Sequence, residues 1–369
     1  MRIEAQRNPR RRLPANPLVI RWANSLLNPA ALPPAQRFSP LFLAAVLACT
    51  TLMMLWRNGR TTPIGLNDLY PLYYGAKAWL AGGNAYHLAD VAPLKDQHHG
   101  IFLTGNAYPL LAVLLVLPLS LLSPQLASVV WIGLLTAAIL LALRLYGASP
   151  WLILYWPLLD AIRLEQFTAF VVVAQILALW AQRARRPWLL GLACALILTK
   201  PTQGFLFVAV LLFLTEDRLR PLCAIAAVWG TTLLLDPTWP LEWLAGVRQY
   251  DAIALHPYYW QLALLALPLI LLRHYLGAAI VASFALFRFP LPSPYMTSML
   301  PFGILDDPRV IYLVPLSYLW WLFAATLGYA WGATLTFFLP LVILAAWRWY
   351  ERRPTQHTER EVALPLSAG

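Results

Sequence analysis

Apolar residues run through this chain in blocks separated by short polar breaks. The first block is 40–56, and a long polar stretch, 57–106, follows it. Further blocks cover 107–122, 125–146, 150–159, 166–182, 187–200, 203–215, 220–235, 259–272, 275–289, 310–327 and 329–348. Many approach the roughly 20 residues that a helix needs to cross a bilayer. Runs of this length predict an all-α polytopic membrane protein of about 11–12 transmembrane helices. No internal repeat and no separable soluble domain stand out.

Composition agrees. Of 369 residues, 60% are hydrophobic and 12% are charged, against roughly 45–50% and 25% in soluble domains. One buried core cannot absorb that excess, so lipid is the solvent for most of the chain. The formal charge of +11 comes from basic residues at the edges of apolar runs, which is positive-inside patterning and not a nucleic-acid footprint. Cys49, Cys194 and Cys223 sit inside apolar runs and read as small core residues.

Charge also sets the expected topology. Arg2, Arg7, Arg10, Arg11 and Arg12 lead into proline-broken sequence, unlike a cleavable signal peptide. Residues 1–39 read as a cytoplasmic basic segment with an interfacial helix near 17–28. Residues 40–350 then form the transmembrane domain, with 57–106 as the first extracytoplasmic loop and 236–258 as a later one. Counting every run as a span would put Arg183, Arg185 and Arg186 outside. Reading the short run 150–159 as a broken or re-entrant element returns them to the cytoplasm. Asp160, Arg163, Glu165 and Gln166 then fall at the outer face. Arg348, Arg352 and Arg353 place the tail, 351–369, inside, which requires the proline-rich stretch 290–309 to return across part of the membrane.

The first loop carries the chemistry. After Pro71 the residues favour an amphipathic helix on the membrane surface, with Tyr73, Ala76 and Leu80 on one face and Gly82–Gly83 as its stop. Asp68 precedes that helix, where a carboxylate serves as an N-cap or as a functional group. Lys200 interrupts an apolar stretch. It either snorkels to the headgroups or faces a polar partner. Arg163 either binds an anion or pairs with Asp160 or Glu165. His87, His98 and His99 read as solvated. The loop 236–258 reads as a cap over the site.

The pattern resembles glycosyltransferase family 87, of the membrane-embedded C superfamily. Asp68, Tyr73, Gly75, Ala76, Gly82 and Tyr86 match its first-loop motif, and Tyr108–Pro109 opens the Leu-rich span that follows. Arg186–Pro187, Gly191, Lys200–Pro201 and Ser293–Pro294–Tyr295 match later motifs. Leu110 stands where a second proline is frequent. Glu165–Gln166 with Thr168 departs from the family's Gly-Gln pair and nearby Asn.

The resemblance implies a glycosyltransferase C-type fold. It implies transfer of a hexose, mannose in this family, from a polyprenyl-phosphate donor to a glycolipid or glycan outside the cytoplasm, by inverting single displacement. Asp68 is then the expected base. Lys200, Arg163 and Arg288 are expected at the donor phosphate. Tyr73, Tyr74, Tyr86, Glu165 and Gln166 are expected at the sugar or acceptor. No cofactor and no metal centre are expected, although Asp160 with Glu165 leaves room for a divalent cation. The expected location is the plasma membrane, with both termini cytoplasmic and lipids as neighbours. The competing reading is a transporter or flippase of lipid-linked sugars, and an inactive homologue is a third.

Overall fold

The computed structural model describes residues 68–94, 106–253, 262–286 and 294–352. The N-terminal segment, the first run 40–56, Arg288, Ser293 and most of the tail lie outside these residues. Among the described residues every element is helical. The main helices are α1 (Tyr70–Leu80), α2 (Leu110–Val116), α3 (Pro124–Tyr146), α4 (Trp156–Arg163), α5 (Phe167–Arg183), α6 (Pro187–Ile197), α7 (Pro201–Phe213), α8 (Leu219–Leu235), α9 (Trp239–Ile253), α10 (Ala263–Leu271) and α11 (Tyr275–Leu286). A 3-10 segment, Pro294–Ile304, follows. The chain then reaches a helix over Trp331–Glu351.

Two helices, Pro124–Tyr146 and Trp331–Glu351, are long and apolar enough to cross a membrane, and α8 with α9 makes a third if that bent pair is one span. Several other apolar helices are only 10–17 residues long. Proline explains much of the shortening: it removes a backbone donor and clashes with the preceding turn. Pro187 and Pro201 begin α6 and α7, and Pro268 lies inside α10. Leu234, Leu241 and Phe213 face outward, as a lipid-immersed surface requires.

The local signals of α3 are complete. Ser123 accepts from the Leu126 amide, Pro124 opens the first turn, and Gly147 closes the helix at φ 84°. Its amide returns to Leu143, the usual left-handed ending.

The elements define two ends of the molecule. At one, the Asp68 amide donates to the Leu164 carbonyl and Ser128 donates to Glu165. At the other, Arg183 and Tyr146 both bind Asp306, and Arg348 lies 4.0 Å from the same carboxylate. The 17 residues of α5 hold the ends about 25 Å apart at 1.5 Å per residue. The 3-10 segment runs the same way, from Tyr295 beside Lys200 toward Asp306. The proline-rich stretch thus traverses the bundle.

One run packs against the first-loop helix at both its ends. Residues 107–122 read as a span, yet both ends meet α1. Asn106 Nδ2 lies 2.9 Å from where a Gly75 Cβ would sit, and the Leu122 carbonyl accepts from Tyr73 at 2.7 Å. This segment therefore lies alongside α1. The run 150–159, expected to be broken or re-entrant, falls in a broken element: a 3-10 turn over Pro150–Leu154 and then α4, which together link the two ends. Each is too short for its pattern of hydrophobicity to announce its neighbours.

The first-loop helix is present, with Gly82 at φ 79° just beyond it. Its expected face is only partly right. Tyr73 and Ala76 are buried, whereas Leu80 is exposed. α2 and the 3-10 turn after it pack over α1, so the helix is covered by protein along most of its length.

Candidate functional site

The site forms where α1, the α4–α5 turn and the α6–α7 break converge. Asp68 is not an N-cap: that position belongs to Leu69, with no side-chain cap. Its backbone is tied to Leu164, and its Oδ2 accepts from Gln166 Nε2. Gln166 turns its other atom, Oε1, toward Lys200 Nζ at 3.4 Å. Lys200 also donates to Thr168 Oγ1 at 2.5 Å. A chain of side chains therefore links the carboxylate of Asp68 to the ammonium of Lys200.

Lys200 is buried. The break between α6 and α7 holds it there. Its N–H bonds to the Ile197 carbonyl and its own carbonyl takes the Gln203 and Gly204 amides. Gly204 permits this: a Cβ there would lie 2.7 Å from the Ile197 carbonyl oxygen. Tyr108 and Tyr295 present their rings to the ammonium at 5.9 and 5.6 Å, distances at which a ring face attracts a cation. A charge at membrane depth costs about 2.5–3.5 kcal/mol on insertion scales. Gln166, Thr168, two rings and the charge of Asp68 offset that cost. The partnered reading of Lys200 holds over the snorkelling one.

Gln166 sits on a sharp turn. Glu165 has φ 57°, a left-handed conformation that disfavours a side chain. Its carboxylate is fully buried and accepts from Ser128 at 2.6 Å, and its carbonyl accepts from Trp131. A glycine would suit this backbone; here a glutamate adopts it and is anchored to α3.

The other expected residues are placed as follows. Arg163 pairs with Asp160, which fits its structural alternative. Asp160 is bonded to Arg163 and Glu165 to Ser128. No group of three metal-ligating side chains occurs among the described residues. Tyr73 spends its hydroxyl on the Leu122 carbonyl and packs edge-on against Tyr74, with Lys77 over both rings. Tyr86 is buried farther along the loop, near Asp236 and Glu242. Burial first, and then those two carboxylates, push its phenol well above the ordinary range. Arg288 lies outside the described residues. His87 stands 3.9 Å from both Asp90 and Glu242, and is thus tied to the rim.

Thr168, Tyr108 and Tyr295 are site residues that motif reading noticed without giving them a role. Thr168 lies two positions after Gln166 at the opening of α5, and that spacing was the available signal. Ser128 had none. It lies mid-pattern in a long apolar helix.

No curated protein and no solved structure matches this chain. The model of glycosyltransferase family 87 matches residues 106–290, which include α2 to α11, Gln166, Thr168 and Lys200. With half the sequence matched and an all-helical membrane architecture around it, the chain belongs to glycosyltransferase family 87 and is a membrane glycosyltransferase.

Proposed function

We propose that this protein transfers a hexose, mannose by its family likeness, from a polyprenyl-phosphate donor to a glycolipid or glycan acceptor on the extracytoplasmic side. The observation that carries this reading is the Asp68–Gln166–Lys200 chain. It sets one carboxylate and one cation at the same end of the bundle, joined through a neutral amide.

Those groups suit single displacement. Asp68 takes the proton of the acceptor hydroxyl. The hydroxyl oxygen attacks the anomeric carbon, and the bond from that carbon to the phosphate oxygen breaks. Polyprenyl phosphate leaves with the electron pair, and Lys200 stabilises the charge it gains. A single base with no second carboxylate nucleophile suits inversion. Asp160 and Glu165, the nearest alternatives in sequence, are engaged by Arg163 and Ser128.

Sidedness is part of the proposal. Arg183 and Arg348 gather at the end opposite Asp68, and the positive-inside bias assigns that end to the cytoplasm. The plasma membrane is the proposed site, with both termini cytoplasmic.

Purified protein in nanodiscs, given radiolabelled polyprenyl-phosphate-mannose and a lipid extract, tests the reading. Labelled glycolipid from the wild type and not from Asp68→Asn supports it. Movement of donor across liposomes without transfer would instead indicate a flippase, and equal transfer by both proteins would remove Asp68 from the reaction.

A further inference from the structure

The second extracytoplasmic element, α9, folds back at 91° from α8 and docks on the first loop. Glu242 accepts from Asn84 at 2.6 Å. Trp243 donates to the Ala107 carbonyl at 2.9 Å. Gly246 lets the helix approach, since a Cβ there would lie 2.8 Å from the Asn106 carbonyl oxygen.

The seam contains hydrogen-bonding groups that the fold leaves unused. Tyr86 Oη, Asn106 Nδ2, Trp239 Nε1 and Trp229 Nε1 are buried without a partner among the described residues. Tyr86, Asn106 and Trp239 are 6%, 2% and 4% exposed. Native structures rarely leave such groups unpaired, and each instance calls for an explanation. An aromatic-belt role does not explain them: a belt tryptophan keeps its N–H in water or headgroups, whereas Trp239 is enclosed. Its ring packs at 5.7 Å from Trp229 and 6.0 Å from Trp243.

We propose that this seam is a carbohydrate subsite that holds a sugar ring of the acceptor. The inference rests on the transferase reading above and deepens it. Indole, amide and phenol donors suit the oxygens of a sugar. The carboxylate of Glu242 suits its hydroxyl protons, and the tryptophan faces suit its C–H surface. Charge argues against an anionic occupant: Asp236 and Glu242 both act on Tyr86 and would repel a phosphate. The donor phosphate thus belongs beside Lys200, and a neutral sugar belongs here. Three consecutive residues join the two places. Asn106 and Ala107 border α9, while the Tyr108 ring covers Lys200. A sugar enters by parting the ties of Asn84 to Glu242 and Trp243 to Ala107, and its hydroxyls replace them in kind.

The test uses the full chain in nanodiscs without donor. Saturation-transfer NMR measures binding of methyl mannobioside and methyl cellobioside to the wild type, Tyr86→Phe and Trp239→Phe. Tyr86→Phe removes one donor and keeps the ring, whereas Trp239→Phe removes the indole N–H together with part of the ring. At least one disaccharide is expected to bind the wild type. Each variant is expected to weaken it about fivefold, the worth of one neutral hydrogen bond. Thermal stability of Tyr86→Phe should stay level or rise, because its hydroxyl has no partner to lose among the described residues, while Trp239→Phe should lose some stability through the cavity it leaves. With donor present, the acceptor KM should rise and the donor KM should hold. Absence of wild-type binding to either disaccharide, or equal binding by the variants, overturns the subsite. Because binding is read without donor, its failure is separable from a failure of transfer.

Discussion

Gln166 donates its side-chain amide to the carboxylate of Asp68 across 98 positions of sequence. That bond suggests the proposed division of roles, with Asp68 as base and Gln166 as its holder. On the proposed reading the amide N–H orients the carboxylate and favours its charged form.

Two substitutions separate the base from its holder. Asp68→Asn still accepts a hydrogen bond from Gln166, so the fold is expected to survive. Transfer should fall by at least about a hundredfold, the lower bound for general base catalysis. Gln166→Leu removes a hydrogen bond to a charged acceptor, worth about 1.5–3 kcal/mol, and should lower kcat by about tenfold or more with little change in donor KM. Single-turnover transfer in nanodiscs measures both. Near-normal transfer by Asp68→Asn would end its assignment as base.

Lys200 is held by a hydroxyl as well as an amide. Thr168→Ser keeps the 2.5 Å contact to Nζ and should retain most activity. Thr168→Val keeps the shape, removes the acceptor, and should reduce transfer. Lys200→Met should lose more than either, and its loss should appear mainly in kcat, because charge on the leaving phosphate develops in the transition state. Equal rates for Thr168→Val and Thr168→Ser would show that the hydroxyl does nothing for the reaction.

Much of this site was legible in sequence, for physical reasons. A lysine inside an apolar run violates local expectation, and such violations mark function; an aspartate before a helix does not, and the family resemblance is what singled it out. Their separation in space was not legible, because it depends on the α4–α5 turn. Nor was the path of 107–122. An apolar segment of that length does not announce its neighbours, and the contacts of Tyr73 with Leu122 and of Asn106 at Gly75 set it against α1. Residues 150–163 do form a broken element, a 3-10 turn followed by α4, as the shortness of the run 150–159 suggested. Arg183 reaches the end opposite Asp68, as charge alone suggested.

Glu165 tests whether proximity to Gln166 implies a part in the chemistry. Its carboxylate is turned to Ser128 on α3, and its backbone occupies a glycine-favouring region. Glu165→Gly relieves about 1–2 kcal/mol of backbone strain and forfeits a hydrogen bond of comparable worth. Transfer should stay within about threefold of wild type at nearly unchanged stability, since those two terms roughly cancel. A loss as large as that of Gln166→Leu would show that Glu165 touches substrate.

Gly191 marks where α6 and α8 come closest. A Cβ there would lie 2.4 Å from the Pro221 carbonyl oxygen and 2.6 Å from the Ala224 Cβ. Backbone cannot yield as a side chain can, so Gly191→Val should force the helices apart and cost about 1–3 kcal/mol or more by overpacking. The thermal midpoint in detergent should fall clearly. Gly133, with nothing within 4 Å of its Cβ position, is the control: Gly133→Ala should be neutral or stabilising through helix propensity. Equal midpoints for Gly191→Val and wild type would refute the close contact.

Asp307 gives a pH prediction at the end opposite the site. Burial alone would raise its pKa. Hydrogen bonds from the Arg309 guanidinium and amide, and the charges of Arg309 and Arg348, outweigh burial and hold it below its ordinary 3.8. A carboxylate depressed in the folded state binds fewer protons there than in the unfolded chain. Its stabilising contribution is therefore complete above about pH 4 and is lost as pH falls through the folded value. Asp307→Asn should lower the thermal midpoint near neutrality, because it removes the charge from a carboxylate only 2% exposed and weakens its bonds to Arg309. The gap between wild type and variant should then shrink as the pH is lowered from 5 to 3. A gap that stays constant over that range would mean that the Arg309 pair does not set the titration of Asp307.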